Sequence, residues 1–360
     1  MEIHETTNPW GGRTYVSSTP SPHATPARKP LSHRTFFQSS LFDIGILKDT
    51  LLPSLALHTG LATVAYTAGR LTNRLDTKDW LWPTGQVVNA WWSAVGRQVL
   101  VDGASLRSTL SALSRPERLI LAGVSLWGGR LFYRVAKRAA TTKHRIGKDH
   151  PRYEAIKKEH GFWNKAFFTM YLPEALFGTF ITLPFTAPFR HQGNALSGYN
   201  PAGQALAVGV FCAGFALQVL ADWQLDEFKE KERREGEKEM CREGVWGVVR
   251  HPNFLGDMLM HISFPLMLYS SDMLAWIELL GPVANYIFLR FFGGTKEAEK
   301  RHAKKYIIEN VSKKVDFDRY RQEINAFWPD QKQISNKWSW IVVGSGVAGS
   351  VLEGILTRGF

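Results

Sequence analysis

Charge is absent from several long stretches of the chain. No Lys, Arg, Asp or Glu occurs in residues 50–69, 80–96 or 193–221. Residues 166–189 contain only Glu174, and residues 258–289 contain only Asp272 and Glu278. A helix needs about 20 apolar residues to cross a bilayer core. A soluble all-α core rarely leaves this many long uncharged runs. The pattern predicts an all-α fold, a polytopic membrane helix bundle of about seven transmembrane helices. The expected segments are 50–69, 80–96, 119–133, 166–189, 203–223, 254–270 and 273–292. The last two are joined so closely that they must form a hairpin.

Composition changes this picture little. Mean hydropathy is only −0.18, which suits a soluble protein, but the average hides the segregation of charge. The net charge of +12 is concentrated in three basic segments. Residues 134–165, 223–253 and the chain from Arg290 onward carry ten, seven and thirteen Lys or Arg. Each is separated from the next by a pair of spans, so all three share one face, and the positive-inside rule makes that face cytosolic. Seven spans then put the N-terminus in the lumen, and the expected location is an integral membrane protein of the endoplasmic reticulum. Residues 1–40 are rich in Pro, Ser and Thr without apolar periodicity and are expected to be a disordered tail. Residues 41–332 form the expected membrane domain, and 333–360 an extension. Cys212 and Cys241 fit no metal spacing, and no metal is expected.

The stretch 243–256 organises the candidate chemistry. Pro252 biases His251 away from the α region, so a helix is expected near Asn253, which can cap it. Arg250, His251 and Asn253 at a helix start make an anion-binding corner; the bland alternative is a turn with membrane-surface cations. Glu174 is costly inside a span and is a site candidate by default. Gln218 and Asp222 are four apart and share a helical face, as do Arg130 and Arg134. Near a membrane end the two arginines are read as snorkelling. The basic segments, with Asp222, Asn253 and Asp257, predict a cytosolic-side pocket for a multiply charged molecule, since phosphates favour Arg and Lys. Near the end of the chain, residues 341–349 imitate a dinucleotide fingerprint. The βαβ unit and later acid that the fingerprint requires are missing; an apolar helix lying on the membrane is expected instead.

The motifs carry a resemblance. Leu126-Trp127-Gly128-Gly129-Arg130 with Tyr133-Arg134, then Gly147-Lys148-Asp149-His150 with Arg152-Tyr153, resemble the N-terminal signature of a family related to steroid 5α-reductases. Ala221-Asp222-Trp223-Gln224-Leu225 with Phe228-Lys229 resembles its next motif. Gly244-Val245-Trp246 through Arg250-His251-Pro252-Asn253-Phe254-Leu255-Gly256 resembles its most specific one, and Tyr320 with Phe327 and Pro329 resembles its ending. The resemblance implies a seven-helix membrane reductase that takes NADPH from the cytosolic side. It would reduce an activated carbon–carbon double bond of a lipid or steroid-like substrate. It implies Asp222 and Asn253 as cofactor-binding residues, with Gln218, Lys229, Arg250, His251, Asp257 and Tyr320 beside them. Asp257 stands where the family has Glu, one methylene longer. The tyrosine and glutamate that polarise a ketone in the family are not clearly matched. Tyr133 lies near the tyrosine's place and is taken as the candidate acid, with Glu174 as the second catalytic candidate.

Two other classes fit part of the pattern. Isoprenylcysteine and phospholipid methyltransferases resemble the Arg-His-Pro stretch and bind S-adenosylmethionine, but usually lack a block like residues 221–225. A non-catalytic lipid-binding membrane protein is the third reading. The expected partners are a lipid or steroid-like small molecule and membrane lipids, with no nucleic acid.

Overall fold

The structure, a computed structural model, describes residues 3–7, 13–17, 47–141, 149, 151–190, 199–235, 240–309 and 311–358. Gly147, Lys148 and His150 of the first motif lie outside them. The chain divides into two units, residues 1–32 and 33–360. In the first, strands β1 (Ile3–Thr7) and β2 (Arg13–Ser17) pair antiparallel with Ile3 opposite Ser17. Ile, Thr, Tyr and Val favour extended backbone, which suits these ten residues to strand.

The described residues of the second unit are helices and loops without strand. Helix α1 is Leu52–Thr72, ending at Asn73, whose left-handed backbone returns its N–H to the Gly69 carbonyl. Helix α2 is Leu81–Trp91, continued through the wider turn Trp92–Gly96 to Leu100. Helix α3 is Arg115–Thr141. Helix α4, Leu172–Ile181, prolongs the turns Phe162–Ala166 and Phe167–Tyr171. Helices α5 (Pro201–Glu235), α6 (Pro252–Tyr269) and α7 (Leu280–Ile287) follow. Helices α8 (Thr295–Glu309), α9 (Val311–Glu323) and α10 (Lys337–Arg358) come last, and two short helices, Leu106–Ser111 and Pro151–Lys157, flank α3 in sequence. All seven expected apolar segments carry helix. Among the described residues two helices, α5 and α10, are long and apolar enough to cross a membrane.

The core is aromatic, with Trp127, Phe185 and Phe264 fully buried among aliphatic neighbours from several helices. Within it α5 and α6 approach closely. A Cβ on Gly214 would lie 2.6 Å from the Gly256 carbonyl, and one on Gly256 would lie 2.6 Å from the Gly214 carbonyl. The two glycines let the helix backbones touch. This contact sets Gln218, one turn beyond Gly214, directly against the first turn of α6.

Helix α10 meets the expectation of an apolar helix but does not lie apart from the bundle. It packs along α5 through small residues. Ala205, Gly209 and Ala213 on α5 are spaced four apart, and Gly346 and Ser350 on α10 likewise. Ser350 donates to the Ala205 carbonyl at 2.8 Å. A Cβ on Gly346 would lie 2.9 Å from the Gly209 carbonyl. Small residues at this spacing allow close helix approach where apolar burial alone gives little. Gly346→Leu should overpack this seam and cost about 1–3 kcal/mol. Thermal unfolding of the detergent-solubilised protein measures it, and an unchanged midpoint would show that the seam tolerates bulk.

Candidate functional site

A cleft of about 640 Å³ lies between α3, α5 and the start of α6, a size in the range that holds small-molecule ligands. The side chains reach it by helical spacing. Arg134, Lys137 and Arg138 come from one face of α3; Gln218, Asp222, Asp226, Lys229 and Arg233 come from one face of α5. Arg130 sits one turn deeper. It donates to the Gln218 side-chain oxygen at 2.6 Å and to the Gln218 carbonyl at 2.7 Å, and it is ion-paired with Asp222. Arg134 reaches Asp222 at 3.3 Å and Asp226 at 2.6 Å, and Lys137 reaches Asp226 at 3.0 Å. The carboxylates on α5 thus hold the guanidiniums of α3 in place, and the lining keeps more cations than anions.

Asn253 lines the same cleft. The structure departs here from the expected cap. Helix α6 begins at Pro252, with His251 at the N-cap position and no side-chain cap bond. Pro252 has no N–H to satisfy, so the first turn does not require Asn253 as a cap. The Asn253 amide oxygen is buried and has no hydrogen-bond partner among the described residues. A buried polar atom left this way marks a place for a ligand donor or water.

Asp257, expected to contact cofactor, instead forms a hub in the core. It is 3% exposed. One oxygen accepts from Trp127 Nε1 at 2.6 Å and Gln218 Nε2 at 3.3 Å, and the other accepts from Asn285 Nδ2 at 3.1 Å. One turn on, His261 Nδ1 lies 2.9 Å from the Asp257 carbonyl. Asp257 lies one helical turn past Asn253, pointing inward, with its oxygens occupied by α3, α5 and α7.

Arg250, His251 and Tyr320 are also drawn away from the cleft. Arg250 donates to Glu299 on α8 at 2.6 and 3.0 Å and to the carbonyls of Arg321 and Ile324 at the end of α9. His251 Nε2 lies 3.3 Å from Glu299, and its ring stacks on Phe254. Burial would raise the Glu299 carboxyl, but hydrogen bonds from His251 and Arg250, and their charges, hold it down to about 2. The Tyr320 hydroxyl donates to the Trp246 carbonyl at 2.5 Å, and burial pushes this phenol well above its usual range. These three residues clamp α8 and α9 to the turn before α6.

The two catalytic candidates are placed elsewhere. Tyr133 is 62% exposed on α3 and does not line the cleft. Glu174 is buried against α1 and α2 and ion-paired with Lys78 at 2.5 Å. Of the expected site residues, the structure brings together Gln218, Asp222, Lys229 and Asn253. The arginines and lysine of α3 were missed as lining residues. Their signal was the spacing 130, 134, 137, 138, which repeats on one helical face opposite Asp222 and Asp226.

A family model described as a protein of unknown function (DUF1295) matches residues 65–324. No curated protein and no solved structure matches the chain.

Two measurements test this arrangement. Asp257→Ala should cost about 3 kcal/mol or more, because it strips the acceptor from three buried donors at about 1–3 kcal/mol each; unfolding midpoints read it. Glu299 falls from an ordinary value of 4.5 to about 2, so its stabilisation is present above pH 4.5 and fades as pH drops toward 2. The stability gap between wild type and Glu299→Gln should therefore narrow across that window. A constant gap would mean that the clamp does not titrate.

Proposed function

The chain belongs to the DUF1295 family of proteins of unknown function, and we propose that it is an NADPH-dependent membrane oxidoreductase reducing an activated carbon–carbon double bond of a lipid or steroid-like substrate. The observation that carries this reading is Asn253, whose buried amide oxygen lacks a partner in the wall of a cleft lined by the cations of α3 and α5. A nicotinamide dinucleotide suits those groups. Its phosphates want guanidinium and ammonium donors, and its carboxamide N–H can donate to the Asn253 oxygen. Arg134, Lys137, Arg138, Lys229 and Arg233 would hold the phosphates. Asp222 acts through Arg130 and Arg134, fixing their direction. NADPH, when bound, supplies the hydride; the protein orients it and keeps the site dry.

In this reading the seven apolar segments cross the endoplasmic reticulum membrane, with the basic segments and the cleft at the cytosolic face. Helix α10 is an eighth crossing. Its first turn packs with Leu217, Ala221 and Trp246 near the cleft end of α5. Its last turns reach the opposite end, where Glu353 pairs with Arg115 at 3.0 Å. The motif resemblance to steroid 5α-reductases supports the reductase over the methyltransferase, through the block 221–225.

Cofactor titration of the purified protein tests the proposal. NADPH should bind, and Asp222→Ala and Asn253→Ala should each weaken it by about 1–3 kcal/mol, or roughly 5- to 150-fold. Stabilisation by S-adenosylmethionine in place of NADPH would assign the cleft to a methyltransferase. Stabilisation by neither would leave a lipid-binding protein.

A further inference from the structure

Away from the cleft, three helices each turn a polar stripe inward. Thr50, Ser54 and His58, on α1 and the turn before it, are spaced four apart. Gln86, Asn89 and Ser93, on α2 and its continuation, are spaced three and four apart. On α4 and the residue that caps its C-terminal end, Glu174 and Thr182 are eight apart, with Gly178 between them. All eight side chains are at most 7% exposed, and α1, α2 and α4 pack against one another. Gly85 and Gly178 both close on the His58 ring, at 2.8 and 3.0 Å from a would-be Cβ. The two glycines make room for the imidazole.

The stripes are only partly satisfied. Asn89 Nδ2 reaches Thr182 Oγ1 at 3.1 Å and His58 Nε2 at 3.4 Å. Thr50 Oγ1, Ser54 Oγ, Asn89 Oδ1 and Gln86 Nε2 are buried with no partner among the described residues. Four such atoms along one seam are costly if the seam is dry. A cavity between His58, Gln86 and Glu174 has room for about one water, and a buried water needs two to four polar partners of this kind.

Both ends of the seam are defined. At one end Arg190 donates to the Thr50 carbonyl at 3.0 Å and to Ser93 Oγ at 2.8 Å. At the other, Gln86 Oε1 lies 3.3 Å from His261 Nε2, and His261 leads to Asp257, Gln218 and Arg130 at the cleft.

We propose that the three stripes enclose a file of bound water running from Arg190 to His261, with His261 the last group on it able to carry the proton that a double-bond reduction consumes. The reduction adds a hydride from the nicotinamide to one carbon and a proton to the other. The π bond is lost and the nicotinamide is left oxidised. The cofactor side supplies only the hydride, so the proton needs its own route. The proton role rests on the reductase reading; the water does not.

The test is thiol chemistry inside the seam. Ser54→Cys and Asn89→Cys are made in the full chain, reconstituted in vesicles and treated with a small charged methanethiosulfonate. Peptide mass spectrometry reads the adduct. Both should label at least tenfold faster than Ala94→Cys and Ala207→Cys, which sit in the apolar core, because the reacting thiolate forms only where water reaches. Labelling no faster than those controls would overturn the file. X-ray hydroxyl-radical footprinting of wild type needs no substitution and guards against misfolded variants. Oxidation of buried His58, with Met267 and Phe211 spared, is the expected pattern; a silent His58 would also overturn the file. Failure of NADPH binding would remove the proton role and leave the labelling result standing, so the two failures are distinguishable.

Discussion

Two glycines in contact determine where the chemistry of this molecule lies. Gly214 and Gly256 place the backbones of α5 and α6 against each other with no side chain between them. Any Cβ at either position would push the helices apart. Because they touch, Gln218 can reach both the Asn253 carbonyl and the Asp257 carboxylate. Through Gln218 the contact is passed to Arg130, and through Arg130 to Asp222. The cleft wall and the buried hub are two sides of one helix crossing.

That crossing explains which parts of the site were legible in the sequence. Gln218, Asp222 and Lys229 follow a helical spacing on α5, and Asn253 opens the facing helix, so pattern alone groups them. Asp257 belongs to the same motif, but four residues is a full turn, and the turn carries it inward to Trp127 and Asn285. Arg250 and His251 are next to Asn253 in sequence but turn away from the cleft in space, and Tyr320, named through the resemblance alone, is held beside them at Trp246. Pro252 ends the preceding turn there and sends the two basic side chains toward Glu299. Tyr133 sits between Arg130 and Arg134 in sequence, yet only those two share the inward face.

The helical segments were legible because uncharged length is a direct signature of apolar helix. The polar stripes of α1, α2 and α4 escaped the same reading. Apart from Glu174, their residues are Thr, Ser, Asn, Gln and His, which a search for charge passes over. The wider turns at Trp92–Gly96, Phe167–Tyr171 and Phe288–Phe292 continue the helices beside them without a Pro inside the turn to announce them.

The family similarity stops at residue 324, but the packed unit does not. Helix α10 lies beyond that point, and its glycines fill a groove on α5 that is shaped for nothing larger. Without α10, the Ala205 carbonyl would lose the Ser350 hydroxyl that it accepts, and the Gly209 backbone would face the surroundings with no side chain to shield it. The border of shared ancestry and the border of the folded object are therefore different lines in this chain. A fragment cut at the first would inherit an open furrow along its longest helix.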